Sequence, residues 1–93
     1  MNAFIVIGRI VDVQTHGKVL KFNLSLLQDR PCIIPCVVFN PTKEAKEGTA
    51  DLGSTGQLVW MQGKLSCNEY EYQGKTVRHI VLLPYVNSTK IIE

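Results

Sequence analysis

Two histidines, three cysteines and eight acidic side chains are the groups in this 93-residue chain that most readily do acid–base, nucleophilic or metal chemistry. Their spacing argues against all three. His16 lies in the turn-like run Gln14–Lys18, and His79 sits in the middle of an aliphatic segment. Cys32 and Cys36 are four apart in what reads as a strand, and nothing near them or Cys67 has the ligand spacing of a metal site. Buried structural thiols are the expected reading. Gln73-Gly74-Lys75-Thr76 has the ending of a phosphate-binding loop, but Glu69 occupies the position where that loop needs glycine. The sequence therefore predicts no catalytic residues, no metal, no cofactor and no enzymatic activity.

A different chemistry is written in "QLVWMQGKLSCNEYEYQGK", Gln57 to Lys75. As a strand it divides by alternate residues into two faces. Val59, Met61, Gly63, Leu65 and Cys67 make one face, apolar and small. Trp60, Gln62, Lys64, Ser66, Asn68, Tyr70 and Tyr72 make the other. Aromatic rings stack on nucleic-acid bases, and interleaved cations neutralise phosphates, so this face fits a single strand. Lys21, Asn23 and Ser25 would join it from a second strand, and Lys18, Phe39, Lys75 and Arg78 would extend it. Two competing roles stand beside this one. Trp60 would also suit a subunit interface, and Tyr70 and Tyr72 a cross-strand pair. Glu69 and Glu71 would lie close to any phosphate track.

Five strands are needed to position these groups. Phe4–Val13 is rich in Ile and Val, with Gly8 marking a bend or bulge. "VLKFNLSLL" alternates most cleanly: Leu20, Phe22, Leu24 and Leu26 inward, Lys21, Asn23 and Ser25 outward. "CIIPCVVFN" is a third strand, with Pro35 at an edge or bulge. Residues 41–56 hold Gly48, Gly53 and Gly56 with Leu52 as their one large aliphatic, which predicts a mobile connection with at most a turn or two of helix after Thr42. The fourth strand is the stretch quoted above, closed by a hairpin turn with Gly74 at positive φ. "TVRHIVLLPYV" is the fifth, ended by Pro84, and 87–93 reads as a short polar tail. The predicted fold is all-β: a single domain, 1–93, forming a five-stranded oligonucleotide/oligosaccharide-binding (OB) barrel with a short helix or loop between strands 3 and 4.

The totals agree with a small globular domain. The chain is 45% hydrophobic and 19% charged with a formal net charge of +2, so cations act by position rather than by bulk. An odd cysteine count without paired spacing argues against a disulfide framework. "MNAFIVIGRI" lacks the basic start of a signal peptide, and no apolar run approaches a membrane span. A cytoplasmic protein is expected.

Four segments together resemble the bacterial single-stranded DNA-binding protein family. "MNAFIVIGRI" resembles its opening strand, "VLKFNLSL" its second, "CVVFN" its Val-Val-x-Phe-Gly segment and "LVWMQGKL" its Val-Tyr-Ile-Glu-Gly-x-Leu strand. The resemblance runs in order along nearly the whole chain. It implies base stacking by Phe39 and Tyr70, which match the family's third-strand phenylalanine and arm tryptophan. Ile33 stands where another family tryptophan would be, and the family's acidic C-terminal tail has no counterpart after Ile91-Ile92-Glu93. That tail-less shape, and "MQGKLSC", also resemble primosomal replication protein B. The resemblance thus implies single-stranded DNA binding in replication, repair or recombination, by a homodimer or homotetramer, with replication or primosome proteins as further partners. RNA is an alternative ligand, because it offers the same stacking faces. A protein-assembly barrel with weak or no DNA affinity is the other reading.

Overall fold

The computed structural model describes residues 3–30, 32–85 and 88–92, and only the backbone of Asn68, Tyr70 and His79. The elements in chain order are β1 (Phe4–His16), β2 (Val19–Leu26), β3 (Ile33–Phe39), α1 (Lys43–Thr55), β4 (Leu58–Tyr72), β5 (Lys75–Pro84) and β6 (Lys90–Ile91). Sheet order is β1-β2-β3-β5-β4-β6, and a further β1–β4 pairing closes the first five strands into a barrel. Strand β4 makes the closure: Leu58–Gly63 pairs with Arg9–Phe4, and Gly63–Tyr72 pairs with Pro84–Lys75. This is the five-stranded OB barrel that the alternation predicts.

Alternation becomes burial most completely in β2. Leu20, Phe22 and Leu24 are at most 3% exposed and meet Ile10, Cys36, Val59, Met61 and Leu82 in one core. Each such side chain contributes about 1.5–3 kcal/mol by leaving water. Burial of Cys36 also pushes its thiol pKa up from 9.0 to about 12, because the low-dielectric core disfavours a thiolate. The β1–β2 turn is shorter than expected. Strand β1 continues to His16, leaving only Gly17-Lys18 to turn, and its irregularity falls between Val11 and Gln14 rather than at Gly8. There Asp12 takes φ 55, and its carboxylate accepts a hydrogen bond from Asn23 Nδ2 at 3.1 Å.

Two segments differ from expectation. Residues 43–55 form a 13-residue helix instead of a mobile connection. The Thr42 hydroxyl caps its start by accepting from Ala45 N, and Gly56 at φ 70 ends it in the left-handed region. Leu52 packs against the core, and Gly53 lies so close to β1 that a Cβ there would come within 2.9 Å of Val13 Cγ2. Tertiary contact and caps hold a helix that has little propensity of its own. The tail is not free either: Lys90 and Ile91 pair with Trp60 and Val59, and Ile92 N donates to Leu58 O.

Candidate nucleic-acid interface

Outward-facing positions of β2, β3, β5 and distal β4 run side by side. Lys21 is in register with Val37, and Val19 with Phe39. β3 and β5 run parallel and meet at Cys36 and Leu82, both core residues. The flanking positions Val81 and Leu83 have the opposite parity and lie beside Ser66 and Lys64, their partners on β4, with Val81 itself buried and Leu83 half-buried. Beyond Leu65 the β4–β5 hairpin continues as an arm to Tyr72 and Lys75, which pair across its tip. Gln73 and Gly74 make that turn, both at positive φ, as Gly74 was predicted to be.

Along this face Phe39 is 63% and Tyr72 is 61% exposed. Lys18, Lys21, Lys64 and Lys75 are exposed as well. Lys18 sits beside Phe39 through the hydrogen bond from Asn40 N to the Lys18 carbonyl, 2.8 Å. The Tyr70 backbone pairs with Val77, and its predicted role as a stacking platform lies outside the described side chains.

Two expected members are placed differently. Arg78 pairs with Glu69, at the opposite parity from Tyr72, Lys75 and Lys64, so it lies on the other face of the arm. Its Nε donates to Glu69 Oε1 at 2.6 Å. The same parity carries Glu69 and Glu71 away from the lysine face, which removes the acidic interruption that the sequence implied. Trp60 faces outward but is half-buried. Its in-register neighbours are Ile7 on β1 and Lys90 on β6, and the Lys90 ammonium stands 5.5 Å from the ring centroid. Strands β2 and β4 nowhere pair. The Trp60 ring thus belongs to the β1–β4 seam, and β1 separates it from Lys21, Asn23 and Ser25.

One aromatic escaped the sequence reading. Tyr85, 43% exposed, follows Pro84 where strand alternation stops, and its backbone N donates to Gln62 O at 2.9 Å. No local pattern marked it: Phe39 and Tyr85 each lie three residues beyond the Cys36–Leu82 contact, a parallel pairing between segments distant in sequence. Among the described residues no three His, Cys, Asp or Glu side chains converge on a metal-sized site, and no helix is long and apolar enough to cross a membrane.

No protein-family model matches the chain, and no curated protein matches its sequence. Solved structures do share its fold. The mitochondrial single-stranded DNA-binding protein Rim1 of S. cerevisiae superposes with a TM-score of 0.78 at 16% identity, over 99% of this chain and 95% of that one. A selenomethionine-labelled Rim1 structure gives 0.69 at 15%, covering 98% and 94%. The Plasmodium falciparum SSB, in complex with single-stranded DNA, gives 0.68 at 17%, covering 99% and 93%.

Proposed function

We propose that this protein is a non-enzymatic single-stranded DNA-binding module. It stacks bases on Phe39 and Tyr72, with Tyr70 as the next platform along the arm, and holds phosphates with Lys18, Lys21, Lys64 and Lys75. The observation that carries this reading is the outward face shared by β2, β3, β5 and the arm, where open aromatic rings alternate with lysines that have no ion-pair partner among the described residues, and Glu69 and Glu71 lie on the opposite face of the arm. The fold shared with Rim1 and with a DNA-bound SSB supports it. Stacking on a π-face tolerates every base, so sequence preference is slight. Such a module serves replication, repair or recombination in the cytoplasm, and its preference for DNA over RNA is read by comparing oligomers of one sequence. The test is fluorescence anisotropy of labelled oligothymidine at two salt concentrations. Binding that weakens as salt rises is expected, because phosphate contacts release counterions. Absence of binding at low salt would refute the reading.

A specific observation favours assembly as a second role. Phe4, Ile5, Ile7, Ile33 and Ile80 are all about half exposed, and Phe4, Ile33 and Ile80 border an apolar cleft of about 270 Å³ at the root of the arm. Covering these residues in a homodimer or homotetramer removes an unfavourable surface, and the half-buried Trp60 lies in register with Ile7 on that side. A primosome-type barrel would use this surface while binding DNA weakly or not at all. Light scattering that reports a multiple of the monomer mass, falling in an Ile7→Lys variant, is the expected result. A monomer at all concentrations would discard the assembly role.

A further inference from the structure

A groove of about 330 Å³ opens at the end of the barrel where β3 runs into α1. Its floor is Leu20, Phe22, Val38 and Leu52, and its rims are Phe39–Pro41 on one side and Pro84–Tyr85 on the other. Helix residues Glu44, Ala45, Gly48 and Thr49 form the third wall. We propose that this groove receives a base of the bound single strand, held between Phe39 and Tyr85, so that Tyr85 is a specificity-free stacking residue beyond those on the open face. The inference rests on the DNA-binding reading and extends its path past the edge of the sheet.

Three features point to a base as the occupant. Both flanking aromatics are open, and their equal offset from the Cys36–Leu82 contact sets Phe39 at the end of β3 and Tyr85 directly after the end of the parallel β5. The side chains of Asn40, Thr49 and Thr89 line the groove with no hydrogen-bond partner among the described residues, leaving donors and acceptors for a base edge. Charge sets the direction of entry. Lys18 lies beside the Phe39 rim, whereas Glu44 stands on the helix wall, so the phosphates follow β2 while the base turns inward.

Gly48 gives a test that separates occupancy from folding. A Cβ at this position meets nothing within 4 Å, and Gly48 lines the groove's helix wall, so Gly48→Leu is accommodated at its Cβ, adds bulk at that wall and favours the helix. The expected result is a higher melting temperature together with oligothymidine affinity lowered roughly tenfold, the loss of one stacked base. Tyr85→Ala lowers affinity by a similar factor, and Tyr85→Phe restores it, because the ring and not the hydroxyl is used. Wild-type affinity in both Gly48→Leu and Tyr85→Ala overturns the proposal while leaving the open-face reading intact. A change in oligomeric mass without a change in affinity also overturns it, and makes the groove a protein contact. Failure of the wild-type chain to bind removes both.

Discussion

The barrel body and the β4–β5 arm are built from the same long strand, yet they answer to different physics. In the body every strand has a face without water: Val59 and Met61 of β4 are at most 1% exposed. Past Leu65 the same alternation continues, but Cys67, Glu69, Glu71 and Tyr72 are all exposed. The arm is held by its own ladder and by the Glu69–Arg78 pair, and among the described residues no second sheet packs against it. Alternation therefore encodes stability in one region and presentation in the other. Side chains in the body are fixed by packing, whereas those of the arm are free to be chosen for a ligand.

The sharpest way to break this comparison is Leu24→Ala, which empties a fully buried site. A loss of about 2–5 kcal/mol is expected, read by chemical denaturation. An unchanged midpoint would mean that β2 does not bury this face. Tyr72→Ala is the counterpart on the arm: binding free energy should fall by about 1–3 kcal/mol while the melting temperature stays the same. A lower melting temperature with unchanged affinity would make the arm structural.

The cysteines repeat the contrast through pH. With the Cys36 thiol held protonated to about pH 12 and ionising near 9.0 once unfolded, the unfolded chain binds fewer protons between those values. Stability should therefore be unaffected below pH 9 and fall above it by up to about 1.4 kcal/mol per pH unit. Subtracting the same titration of Cys36→Ala isolates this slope. No difference between the two would contradict the burial of the thiol. Exposed Cys67 should meanwhile react with a thiol reagent in the native protein, and Cys36 should not. The smallest effect is expected for Glu69 and Arg78, whose side chains are 55% and 72% exposed. A double-mutant cycle should give a coupling of roughly 0.2–1 kcal/mol, and a larger value would show that the pair organises the arm.

What could be read in advance follows the same division. Strand β2 was legible because Leu20, Phe22 and Leu24 alternate with polar residues and one face is wholly dry. The opposite placement of Arg78 and Tyr72 was missed, although hairpin register and parity fix it once the Gln73-Gly74 turn is known. Helix α1 was not legible. Gly48 and Gly53 lower its propensity, and its order comes from the Thr42 cap and from Leu52 against the core, neither of which leaves a periodic apolar pattern. Trp60 read as either a stacking platform or an interface residue from residue type and strand parity. Its cover by Lys90 depends on a six-strand arrangement that local pattern does not contain. Tyr85 was hidden for a related reason, because its proximity to Phe39 arises from a parallel pairing between segments distant in sequence.

Photo-cross-linking of oligothymidine to the intact protein, with mass-spectrometric mapping of the modified residues, tests the central claim most directly. The account predicts cross-links at Phe39 and along the arm at Tyr72, lost at high salt. Cross-links confined to the seam around Trp60 and Ile7, or none at low salt, would contradict it.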